Sequence, residues 1–118
     1  MPGDILFLLP ARFVDEARDG AAFHCAACVH VEGLLTCYPQ LRDVLEIRYV
    51  EYARPRDAIA ELLGDAHQGC PVIVVADDAR AGAPGVQRSA STGRLFVDGS
   101  RDITTYCAQF NGIVPAHP

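Results

Sequence analysis

The chain contains no lysine and no tryptophan. Without lysine, lysine-based catalysis is excluded. All ten basic residues are arginines, scattered rather than striped, and the formal net charge is −5. Phosphate binding needs a clustered cationic face, so nucleic acid is not an expected partner. The N-terminal apolar run Ile5–Leu9 falls far short of the roughly 20 residues that span a bilayer. Asp4 stands where a signal peptide would carry basic residues. No membrane association is expected, and the cytoplasm is the expected compartment.

Half of the 118 residues are hydrophobic, enough for a core without disulfide staples, and a single domain over 1–118 is expected. The five cysteines are an odd number. In a reducing compartment they read as free thiols, metal ligands or catalytic groups rather than as a structural framework.

Ile5 to Leu9 reads as a buried strand closed by Pro10. Ala11 to His24 is mixed in character, with one weak helical turn around Asp15–Arg18 and Gly20 as a breaker. From Cys25 to Tyr38 the apolar residues Cys28, Val31, Leu34, Leu35 and Tyr38 recur at helical spacing until Pro39. Val44 to Tyr52 reads as a second strand. Pro55 is expected as the first residue of a second helix, with Ala58, Ile59, Leu62, Leu63 and Ala66 on one face. Gly64 weakens that helix and Gly69 ends it.

Pro71 opens the buried strand Val72–Val75, and Asp77 to Gly93 reads as a mobile connection. Arg94 to Val97 forms a fourth strand. The turn Asp98-Gly99-Ser100 leads into a last helix with Ile103, Tyr106, Cys107 and Phe110 on one stripe. The order is β-α-β-α-β-β-α. The first two strands should pair in parallel and the last two antiparallel, in a mixed four-stranded α/β sheet.

Cys25-Ala26-Ala27-Cys28 lies where a loop runs into a helix. Unpaired N–H groups and the positive dipole end there favour a thiolate over a thiol. Two thiols three residues apart can open and close a disulfide. The same pair can form half of a metal site, or be two inert small residues.

The element order, with a Cys-x-x-Cys opening the first helix and a proline opening the third strand, resembles the thioredoxin fold over nearly the whole chain. Three segments are similar to a small uncharacterised bacterial thioredoxin-like family known as a domain of unknown function. They are Phe23-His24-Cys25-Ala26-Ala27-Cys28, Cys70-Pro71-Val72-Ile73-Val74 and the ending Phe110 to Pro118. The resemblance implies helices on both faces of the sheet. It also implies Cys25 as the accessible attacking thiolate and Cys28 as the resolving thiol one turn deeper. His24 stands where thioredoxin carries an aromatic, and either stabilises the thiolate or caps the loop.

The resemblance further implies a cis Cys70–Pro71 bond that shapes a groove for extended substrate. Cys70 would then face the pair as a third redox thiol, a third metal ligand or a buried filler. Gly99-Ser100-Arg101-Asp102 resembles the turn with which glutathione-binding relatives hold a carboxylate. The alternative is plain capping by Ser100. Cys37 and Cys107 read as core or boundary fillers, and His30 as exposed.

The leading expectation is a thiol–disulfide oxidoreductase of thioredoxin or glutaredoxin type, acting on a protein or low-molecular-weight thiol or disulfide. It needs no cofactor beyond glutathione as a possible co-substrate. The alternatives are a zinc site on Cys25, Cys28 and Cys70, or a thioredoxin-like binding module without thiol chemistry.

Overall fold

The computed structural model describes residues 3–118. Its centre is a five-stranded mixed sheet of order β4-β1-β5-β7-β6. The strands are β1 (Asp4–Leu8), β4 (Leu45–Tyr49), β5 (Val72–Val75), β6 (Gln87–Arg88) and β7 (Leu95–Asp98). β1 and β4 run parallel, and every other neighbouring pair is antiparallel. Four α-helices accompany the sheet: α1 (Ala26–Cys37), α2 (Leu41–Val44), α3 (Asp57–Leu63) and α4 (Ser100–Phe110). No described helix is long and apolar enough to cross a membrane.

The continuous apolar runs of β1, β5 and β7 follow from burial on both faces. Successive side chains alternate across a strand. Leu6, Leu8, Ile73, Val75, Leu95 and Val97 therefore meet Val31 and Leu35 of α1 and Ile103, Tyr106 and Cys107 of α4. Phe7, Val72, Val74 and Phe96 meet Ile59 and Leu63 of α3 on the opposite side. Each such aliphatic side chain contributes on the order of 1.5–3 kcal/mol when fully withdrawn from water.

Several expectations change. The sheet gains a fifth strand because Gln87 and Arg88 pair with Phe96 and Leu95. The segment Asp77–Gly93, expected to be mobile, is tied down. A 3₁₀ turn spans Asp78–Arg80, and the Ser89 and Thr92 hydroxyls donate to the Leu63 and Leu62 carbonyls at 2.7 Å each. These carbonyls end a helix and lack partners within it, so small polar residues serve them.

α3 starts at Asp57 rather than Pro55, after a cis Arg54–Pro55 bond, and stops at Gly64 rather than Gly69. Gly64 has φ +84°, and a Cβ there would meet the Ser91 hydroxyl at 2.1 Å. Only glycine fits both demands. The short α2 takes the start of the expected second strand.

The stretch before Cys25 folds as a hairpin of β2 (Phe13–Asp15) and β3 (Ala21–Phe23), joined by a 3₁₀ turn at Glu16–Arg18. Phe13 stacks on Tyr52 at 4.4 Å between ring centroids, pinning the hairpin to the body.

Candidate functional site

α1 begins with a cysteine where a serine or aspartate would be usual. Cys25 is its N-cap, and its sulfur accepts the Cys28 backbone N–H at 3.3 Å. An N-cap acceptor satisfies one of the orphan N–H groups at a helix start, and a charged acceptor does so more strongly than a neutral one. Cys25 is half-buried.

Cys28 lies on the inner side of the same turn, 2% exposed, and its sulfur accepts the Leu9 N–H at 3.5 Å. Burial pushes the Cys28 thiol up to about 12, with the Leu9 N–H opposing and the Cys25 sulfur adding to the rise. One cysteine of the pair is thus half-buried and the other is held protonated in the core.

The third expected residue arrives from the sheet. Cys70 precedes β5, its peptide bond to Pro71 is cis as expected, and Pro71 is buried. The Cys25 thiol donates to the Cys70 carbonyl at 3.9 Å. Cys70 is half-buried and packs against the core on both sides of the sheet. Burial pushes its thiol up to about 11, while the Arg56 and Arg54 guanidiniums oppose the rise. Among the described residues, no group of three or more His, Cys, Asp or Glu is arranged to hold a metal ion.

His24 is exposed beside Cys25. At α4 the N-cap is Gly99, not Ser100, and its side-chain-free backbone takes φ +83°. Ser100 is the first helical residue, half-buried, and its carbonyl accepts the Thr104 hydroxyl at 2.8 Å. The Gly99 N–H donates to the Pro71 carbonyl at 3.1 Å, which sets this turn beside the proline. Cys107 is buried as expected, but Cys37 is exposed, because it ends α1 on the side away from the core.

Sequence reading missed Arg56. It is only 7% exposed, and its guanidinium donates to the Tyr52 carbonyl at 3.1 and 2.7 Å and to the Gln68 carbonyl at 2.8 Å. Its backbone N–H donates to the Gln68 side chain at 2.7 Å. The available signal was electrostatic: a cation at a helix start opposes the dipole and calls for another reason.

The model of the family described as "Protein of unknown function (DUF3088)" matches residues 3–115. Neither a curated protein nor a solved structure matches the chain. With nearly its full length matched, the chain belongs to the DUF3088 family.

Proposed function

We propose that this protein is a thiol–disulfide oxidoreductase with a thioredoxin-like fold. Cys25 attacks a disulfide and Cys28 resolves the resulting mixed disulfide. The observation that carries this reading is the asymmetry within one helical turn. Cys25 is a half-buried N-cap whose sulfur accepts a backbone N–H, whereas Cys28 is buried directly beneath it. Attack rate depends on thiolate fraction and access, and burial withdraws Cys28 on both counts, leaving Cys25 as the attacking member of the pair. The thioredoxin-like reading is supported by the parallel β1/β4 pair joined through α1 and the antiparallel β5/β7 pair.

In the forward step the Cys25 thiolate displaces one substrate sulfur, which leaves with the electron pair and takes up a proton. The second displacement releases the other sulfur and oxidises two protein thiols. Two equivalents of an external low-molecular-weight thiol, by successive exchange, return them to the reduced form and leave as that thiol's own disulfide. In this reading Pro71, whose carbonyl accepts the Gly99 N–H, shapes the substrate groove, and exposed His24 adjoins Cys25 in the chain.

The test is to purify the protein without reductant, count free thiols and measure bound zinc and iron. Two missing thiols, no metal, and reduction of a model protein disulfide that is lost in Cys25→Ser support the proposal. Five free thiols with stoichiometric zinc contradict it and favour a metal site.

A further inference from the structure

We infer that Cys70 is a second resolving thiol, which attacks the mixed disulfide on Cys25 and closes a Cys25–Cys70 disulfide beside the buried Arg56 guanidinium. The inference rests on the oxidoreductase reading above and adds a residue to it.

Two observations converge on Cys70. The first is position. The Cys25 sulfur lies 3.9 Å from the Cys70 carbonyl oxygen, so the residue that precedes Pro71 adjoins the attacking cysteine. Cys70 is also the more accessible of the two neighbours, half-buried where Cys28 is 2% exposed. The lack of a three-ligand metal cluster does not oppose this. Pairwise exchange requires one sulfur at a time to reach Cys25, whereas a cation requires all three together.

The second observation is Arg56. A buried charge is normally paired, because an isolated one is costly to withdraw from water. Among the described residues Arg56 has no carboxylate within 4.0 Å, unlike the five ion pairs formed elsewhere. Its charge rests on two carbonyls, and the Gln68 carbonyl anchors it two residues from Cys70. Burial is the largest influence on the Cys70 thiol and raises it; Arg56 and Arg54 oppose that rise, and Cys25 adds to it. Against that burial, a Cys70 thiolate formed during exchange would stand beside a guanidinium that has no carboxylate partner.

The chemistry balances without another reactant. The Cys70 thiolate attacks the Cys25 sulfur of the mixed disulfide, and the Cys25–Cys70 bond forms. The Cys25–substrate bond breaks, its electron pair leaves on the substrate sulfur, and that sulfur takes up a proton. Two protein thiols are oxidised as one substrate disulfide is reduced.

The experiment pulses the reduced protein with oxidised glutathione, quenches with acid, and maps each cysteine by mass spectrometry. Wild type, Cys28→Ser, Cys70→Ser and the double variant are compared. In Cys28→Ser the glutathione adduct on Cys25 should still collapse into a Cys25–Cys70 disulfide. In the double variant the adduct should persist about tenfold longer or more. Adding Arg56→Gln to Cys28→Ser should move the pH midpoint of the collapse upward, which a purely structural arginine would not do. An adduct in Cys28→Ser as persistent as in the double variant would overturn the inference while leaving the oxidoreductase reading intact. No adduct on Cys25 in any protein, wild type included, would overturn both. Should Cys28→Ser fold poorly, wild type alone decides. Cys25–Cys70 peptides at early times support the inference, and Cys25–Cys28 peptides at all times refute it.

Discussion

The two ends of the sheet each hold an arginine, half-buried Arg80 at one and buried Arg56 at the other, and they treat it in opposite ways. At the end that begins β1, Arg80 meets a carboxylate. Asp4 accepts from Arg80 at 3.3 Å, from the Tyr106 hydroxyl, and from the Ala76 N–H at 2.8 Å. The Arg80 guanidinium donates to the Tyr106 oxygen at 2.7 Å and lies 4.3 Å from the Phe110 ring centroid. Every charge there has a fixed partner. At the other end, Arg56 stacks over Tyr52 but has no carboxylate within 4.0 Å among the described residues, and the Cys70 thiol stands near it. The comparison separates a closed polar network that stabilises the fold from an open one that has room for a transient anion.

The sharpest way to break this contrast is Cys25→Ser. Disulfide exchange should disappear, while the urea midpoint should barely move, because the serine retains the N-cap acceptor. Parallel activity and unfolding measurements test both halves. The next largest effect belongs to the closed end. Asp4→Ala strips partners from the Tyr106 hydroxyl, the Arg80 guanidinium and the Ala76 N–H, and should cost about 3 kcal/mol in urea unfolding. Its rate of exchange at Cys25, measured well below the transition, should match wild type.

A smaller effect concerns pH. Burial raises the thiols of Cys28 to about 12 and of Cys107 to about 11, from an ordinary 9.0. Both raised groups hold protons that the unfolded chain releases. Their contribution is fully present below the ordinary value and is lost as pH rises through the window up to the folded values. Stability should fall across that window by up to about 1.4 kcal/mol per pH unit for each thiol. Cys28→Ala at the open end and Cys107→Ala at the closed end should each flatten the slope of urea stability against pH. An unchanged slope would show that these thiols are not kept protonated by the fold. The smallest effect is that of Cys37, which is exposed. Cys37→Ser should leave both stability and exchange unchanged in the same assays.

The strands β1, β5 and β7 were readable because burial on both faces removes polar residues from the run. The α1 start was readable because Cys25 and Cys28 coincide with the onset of helical spacing. The β2–β3 hairpin was not, since its residues are mostly exposed and its main anchor is the stacking of Phe13 on Tyr52, a residue far along the chain. The segment Asp77–Gly93 looked mobile for a related reason. Its serine and threonine hydroxyls find their acceptors on α3, a pairing that local composition does not encode. Asp4 and Arg56 illustrate the same limit at the two ends. The partners of Asp4 lie 72 and more positions away, and the burial of Arg56 depends on the return of Gln68 beside it.

The most direct test of the dithiol account equilibrates the protein in glutathione buffers of stepped redox ratio and quantifies each free cysteine by alkylation and mass spectrometry. The account predicts that Cys25 and one neighbouring thiol, Cys28 or Cys70, are lost together in a single two-electron transition, while Cys37 and Cys107 stay free. Cys25 remaining alkylatable across the whole series, or lost alone as a lasting glutathione adduct, would contradict it.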